Sequence, residues 1–208
     1  MIVVKLARLG VVSAAMTTLI TLPALAHQSR SNARVAPALH GHGHSAMPLP
    51  PQSFRDIQLE DLEREREMTL AMLDSMPERL LHYKPVPEVR DFMQQIAHAA
   101  LTVSSFAATA RGSRPPNLGD STAYLGRRAV MRTAINRSYD FARDVMSGMS
   151  AAEYADTVRF FGAPTPRWKV FAAALEHSVW TRGELVDYFR LNGMVPPSFE
   201  LFPRRRGM

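Results

Sequence analysis

Three sets of residues in the chain could do chemistry. Gln94, His98, Thr102 and Ser105 share a polar strip within residues 92–110, a stretch that holds no charged residue at all. His177, Thr181, Glu184 and Tyr188 follow one another at steps of four, three and four, which places them on one stripe if the segment is helical. Uncharged polar side chains on a buried helix need partners, either across a bundle or in an enclosed pocket. Facing side chains from two helices are how bundles build metal and cofactor sites, and imidazole is the commonest metal ligand. The spacing alone is more often that of hydrogen-bonded core histidines, and that alternative stays open here. A third set, His40, His42 and His44, alternates with glycine. Alternating imidazoles on a flexible chain can take Cu(II), Ni(II) or Zn(II) as a weak accessory site, or serve only as a polar tether. No cysteine is present, which excludes a disulfide scaffold, a thiolate-ligated metal and thiol nucleophilic catalysis.

The elements that must position these residues read as four long helices. Leu59, Leu62, Thr69, Leu73, Met76 and Leu80 recur at three and four, predicting one amphipathic helix over residues 54–81. Its charge run, residues 60–67, reads as a solvated face with i,i+4 pairing. Pro85 and Pro87 break the chain before a second helix over 88–110, which must be central because from residue 92 onward it is uncharged on every side. A third helix spans 122–149, capped by Asp120 or Ser121. Residues 151–158 predict a short helical turn, and 160–166 a turn-rich connection. A last helix over 166–192 is closed by Gly193. No strand-period segment stands out. The expectation is an all-α four-helix bundle.

The rest of the chain is address and tether. Its 208 residues carry a formal charge of +6, yet Lys5, Arg8, Arg30, Arg34 and Arg204 to Arg206 supply all of the excess. The remainder holds 18 basic residues against 19 acidic ones, so charge gives no case for a nucleic-acid partner. Residues 1–26 read as a secretory signal peptide: Lys5 and Arg8, an apolar run over 9–22, then Ala24-Leu25-Ala26. The apolar run is short for a membrane span, so none is expected after cleavage. The expected location is the bacterial periplasm or outside the cell. Residues 27–53 read as a disordered His- and Pro-rich linker, 54–198 as the bundle and 199–208 as a basic tail.

Residues 62–85, the run Gln95-Ile96-Ala97-His98-Ala99-Ala100 and above all residues 176–197 resemble the DinB/YfiT-like proteins, four-helix bundles regarded as metalloenzymes. The likeness covers roughly residues 59–197. In that family the last helix usually reads H-x-x-x-H-R-G-Q-L, then Y-L-R, then glycine and a proline pair. The resemblance implies a divalent metal, Zn or Ni, held by one histidine of the second helix and two of the last; some relatives are thiol-cofactor transferases or isomerases. His98 matches the first ligand and His177 the second, but Thr181 stands at the third and Glu184 replaces the glutamine. A hydroxyl is a poor neutral ligand for Zn²⁺, and Glu184 is the available substitute.

Two functions follow as expectations. One is an exported, degenerate bundle that binds a small ligand or a weakly held metal in its cleft without strong catalysis. The other is a divalent-metal-dependent enzyme of transferase, isomerase or hydrolase type acting on a small molecule, with His98 and His177 as ligands. A small molecule in the cleft is the expected partner either way, and a homodimer is left open.

Overall fold

The computed structural model describes residues 53–199. Residues 1–26, expected as a signal peptide, residues 27–52 with His40, His42 and His44, and the arginine run therefore lie outside the described residues. Four long helices make the bundle: α1 (Phe54–Ser75), α2 (Phe92–Arg111), α4 (Arg128–Ser147) and α6 (Arg167–Arg190), with the short helices α3 (Ser121–Gly126) and α5 (Ala151–Ala155) between them. Among the described residues no helix is long and apolar enough to cross a membrane.

Helix α1 starts on a cap that the sequence reading had placed in the linker. Ser53 Oγ accepts the backbone N–H of Asp56 at 3.1 Å, satisfying one of the donors a helix start leaves free. The helix stops at Ser75, not near residue 81, and only a short 3₁₀ turn, Glu78–Leu80, continues it. Pro77 removes a donor there, and the Arg128 guanidinium takes up the carbonyls of Leu73 and Met76 instead.

Helix α2 begins later than expected, at Phe92, because Asp91 and Gln94 form a reciprocal capping box. Gly112, at φ 72°, ends it in the left-handed conformation that favours glycine. The single helix expected over 122–149 is two. Asp120 caps α3, the chain turns extended at Arg127, and α4 starts anew at Arg128. Gly126, a weak helix former, stands just before the break.

The clearest departure is a two-stranded antiparallel hairpin, β1 (Thr157–Phe160) and β2 (Ala163–Pro166), where a loop was expected. Phe161 and Gly162 make its two-residue turn, both at positive φ (45° and 83°). Such turns match the twist of the strands but favour Asn or Gly, so Phe161 is held against its backbone preference. The regular structure among the described residues is otherwise helical, as expected.

Helix α2 packs against both α4 and α6, and α1 closes the bundle on the other side of the same two helices. Phe92, Met93, Ile96, Val103, Met131, Ile135, Phe171 and Phe189 fill the centre. Burying each large apolar side chain contributes on the order of 1.5–3 kcal/mol before the entropy cost of ordering it. The uncharged character of α2 is thereby explained: it faces neighbours on most sides.

Candidate functional site

The contact between α2 and α6 brings His98 and His177 together. Their ring centroids lie 4.9 Å apart with the planes at 80°, an edge-to-face arrangement. Phe106, two turns further along α2, sits 5.7 Å from the His177 ring, and Phe160 and Phe161 of the hairpin lie 5.1 and 6.1 Å from Phe106. The hairpin that the sequence reading missed thus builds an aromatic wall at one end of the histidine pair. Phe161 remains 86% exposed, so its ring covers the site's edge without entering the core.

His177 Nδ1 is buried and has no hydrogen-bond partner. Orphaned buried nitrogens are rare and costly, so the position asks for a proton donor, an acceptor or a metal ion. Burial lowers the pKa of both histidines below its ordinary value, and Arg90 lowers both further. For His98 the neighbouring His177 acts in the same direction, while Glu184 opposes the shift in both. Both imidazoles are therefore neutral near pH 7, the state in which a ring nitrogen can accept a proton or bind a metal.

The other expected residues divide. Thr181 is 4% exposed, and its backbone carbonyl accepts a bond from Gln95 Nε2 at 3.1 Å. The same Gln95 Nε2 donates to Glu184 Oε2, so the carboxylate is drawn to the start of α2. Glu184 opens on a groove of about 640 Å³ with Arg90, Asp187 and Tyr188. His98 instead lines a cavity of about 400 Å³ with Thr102, Ser105, Pro115, Pro116 and Tyr124. Gln94, placed on the histidine strip by spacing, spends its side chain in the α2 capping box.

These residues do not make the three-histidine centre that the resemblance implies. Among the described residues no group of three or more His, Asp or Glu side chains is placed to hold a metal ion. Two adjacent neutral imidazoles, one with a buried free nitrogen, fit a two-ligand site only.

Sequence reasoning missed the polar core beneath the site. Glu65, assigned to the solvated face, is buried and paired with Arg182, their side chains 1% and 5% exposed. Arg182 Nη2 donates to Glu65 Oε1 at 3.1 Å and Oε2 at 2.9 Å, and Nε donates to Oε2 at 3.2 Å. Beside them Tyr139 OH bonds Ser178 Oγ at 3.0 Å and lies 3.4 Å from Thr69 Oγ1. Burial pushes the Tyr139 hydroxyl up, keeping it protonated. A signal was present: Leu62, Glu65, Thr69 and Met72 share one helical phase, so Glu65 lies on the apolar stripe. The rest of the run pairs at i,i+3 and not at the expected i,i+4, Arg64 with Asp61 and Arg66 with Glu63, and the half-buried Arg66 also reaches Asp140 across the bundle.

No curated protein matches the chain. Among solved structures four chains match. One is a crystal structure of a DinB-like protein from Bacillus subtilis, alike at TM-score 0.56 and 14% identity, covering 69% of this chain and 96% of that one. At that identity the likeness shows the fold. The family model described as the DinB superfamily matches residues 61–180, more than half of the chain. The matched span includes His98 and His177 and ends one residue before Thr181. On that match, and with the bundle it describes, the chain belongs to the DinB superfamily.

Proposed function

We propose that the chain is an exported small-ligand-binding bundle whose His98–His177 pair holds a divalent metal, Zn or Ni, only weakly and runs no strong catalysis. One observation carries this reading: two imidazoles stand in edge-to-face contact with a buried, unpartnered His177 Nδ1, while Thr181 offers a hydroxyl at the third position. Two firm ligands leave an ion largely solvated and easily lost, which suits reversible binding better than a resident catalytic centre. The cavity beside His98 suits a small ligand, with a polar group for the imidazole, Thr102 and Ser105 and an apolar face for Pro115, Pro116 and Tyr124.

The test uses the full chain with His40, His42 and His44 changed to Ala, purified without a tag. The expected result is less than one equivalent of metal as purified, with saturable Zn²⁺ or Ni²⁺ binding that disappears on His177→Ala. One tightly held equivalent per chain would overturn the reading in favour of a metal-dependent enzyme. Binding unchanged by His177→Ala would remove the histidine pair from the site.

A further inference from the structure

A separate cavity, of about 440 Å³, opens where the first turns of α1 and α6 meet α5. Phe54 and Arg55 line it from α1, Ala151, Tyr154 and Ala155 from α5, and Trp168 from α6. Trp168 stands nine residues before His177 on the same helix, roughly 13 Å along its axis at the α-helical rise, so this cavity is not the histidine site. Its walls are aromatic and fixed by their neighbours. The Phe54 and Trp168 rings meet edge to face, with centroids 5.6 Å apart and planes at 81°. Tyr154 stacks on Phe171 of the core at 5.9 Å and 21°. Its hydroxyl donates to Gln58 Oε1, and Gln58 Nε2 in turn donates to the Trp168 carbonyl at 3.3 Å. Burial pushes the Tyr154 hydroxyl up to about 12, so this donor keeps its proton. Walls held this way lose little freedom when a ligand arrives.

Aromatic walls alone would leave the occupant open; the charge of Arg55 decides it. Arg55 Nη1 donates to the Met149 carbonyl, while Nε and Nη2 make no hydrogen bond or ion pair to another described residue. Among the described residues no acidic side chain lines the cavity. Asp56, the nearest acid in sequence, is outside that lining and accepts from the Ser53 hydroxyl. The start of α1 adds the positive end of its dipole. We infer that Phe54, Tyr154 and Trp168, together with Arg55, form a binding site for an aromatic carboxylate. The flat ring fills the space between the aromatic walls, and the carboxylate accepts from the remaining Arg55 nitrogens in a charge-assisted pair. A cavity of ~150 Å³ holds one benzene, so about 440 Å³ takes a fused two-ring compound with room for its acid group. Three aromatic rings without a charge would favour a cation, but the guanidinium in the wall repels one.

The test is equilibrium dialysis of the full chain against 2-naphthoate, the neutral 2-naphthalenemethanol and the cationic 2-naphthylmethylamine. 2-Naphthoate is expected to bind saturably, with a dissociation constant below about 1 mM, and more tightly than either analogue. Arg55→Met should weaken naphthoate at least about tenfold and leave the neutral alcohol within about twofold, so that discrimination between the two collapses. A merely structural loss at the start of α1 would instead weaken acid and alcohol alike. His177→Ala should leave the naphthoate affinity unchanged. Absence of saturable binding would overturn the inference, as would equal losses of acid and alcohol on Arg55→Met. So would tighter binding of the amine or of octanoate, or loss of naphthoate on His177→Ala, which would move the acid to the histidine site. A tenfold gain on changing Pro48, Leu49, Pro50 and Pro51 together to Ser would make the chain's own segment the occupant and overturn it as well.

Discussion

Glu65 and Arg182 show how a single residue can be misplaced by its neighbours in sequence. A charge flanked by six others looks solvated, yet helical phase puts Glu65 on the buried stripe, where it is tolerated only because Arg182 meets both of its oxygens. Arg182 directly follows Thr181, so this pair also fixes the part of α6 that carries the third ligand position. Removing one partner strands the other as a buried charge. Glu65→Ala or Arg182→Ala should therefore cost about 3–5 kcal/mol in urea unfolding. The double change Glu65→Leu with Arg182→Met should cost much less than the sum, because neither charge is left behind. Additive losses would mean that the pair is not coupled as the structure has it.

At the scale of elements, the long helices were legible because each has a sustained apolar period, but the end of α1, the start of α2 and the break before α4 were not. α1 stops early because Arg128, 52 residues beyond Met76, takes its last carbonyls, a tertiary contact that no local pattern announces. The hairpin escaped because four-residue strands give barely two turns of a period-two pattern, and Pro164 and Pro166 argue against a strand. Of the site, the facing of His98 and His177 was legible from spacing and resemblance; the aromatic wall was not, since it depends on that hairpin. The junction between α5 and the hairpin also has an electrostatic support. The backbone N–H and hydroxyl of Ser150 hold the Glu153 carboxyl below its usual range. The Arg167 guanidinium, with the Thr157 N–H, does the same for Asp156. For a carboxylate depressed in the fold, the stabilisation is present above its unfolded pKa and is lost as pH falls through the folded one. The protection of amides in residues 150–167 against exchange, relative to the intrinsic rate at each pH, should therefore fall below about pH 4 before that in α2 does. Simultaneous loss in both would contradict this local weakening.

The described residues form a bundle, and the sequence holds 52 residues before them and nine after. If residues 27–52 make no packing contacts with the bundle, deleting them should leave the melting temperature within about 2 °C of the full chain, a shift well under 1 kcal/mol. Extending the deletion through Ser53 should lower stability by about 1 kcal/mol, because the α1 cap goes with it. A large drop on the shorter deletion would show that the segment docks on the body. The central claim is also one of global assembly: the bundle brings His98 and His177 together but lacks a third ligand at residue 181. His177 and residue 181 are one helical turn apart, the spacing at which two imidazoles of one helix can share an ion. The direct measurement is titration of the full chain, with His40, His42 and His44 changed to Ala, against Zn²⁺ and Ni²⁺, with and without Thr181→His. The expected result is a gain in affinity of at least about tenfold, or roughly 1.4 kcal/mol, on Thr181→His. Equal affinities in the two proteins, or nanomolar binding already present with Thr181, would contradict it.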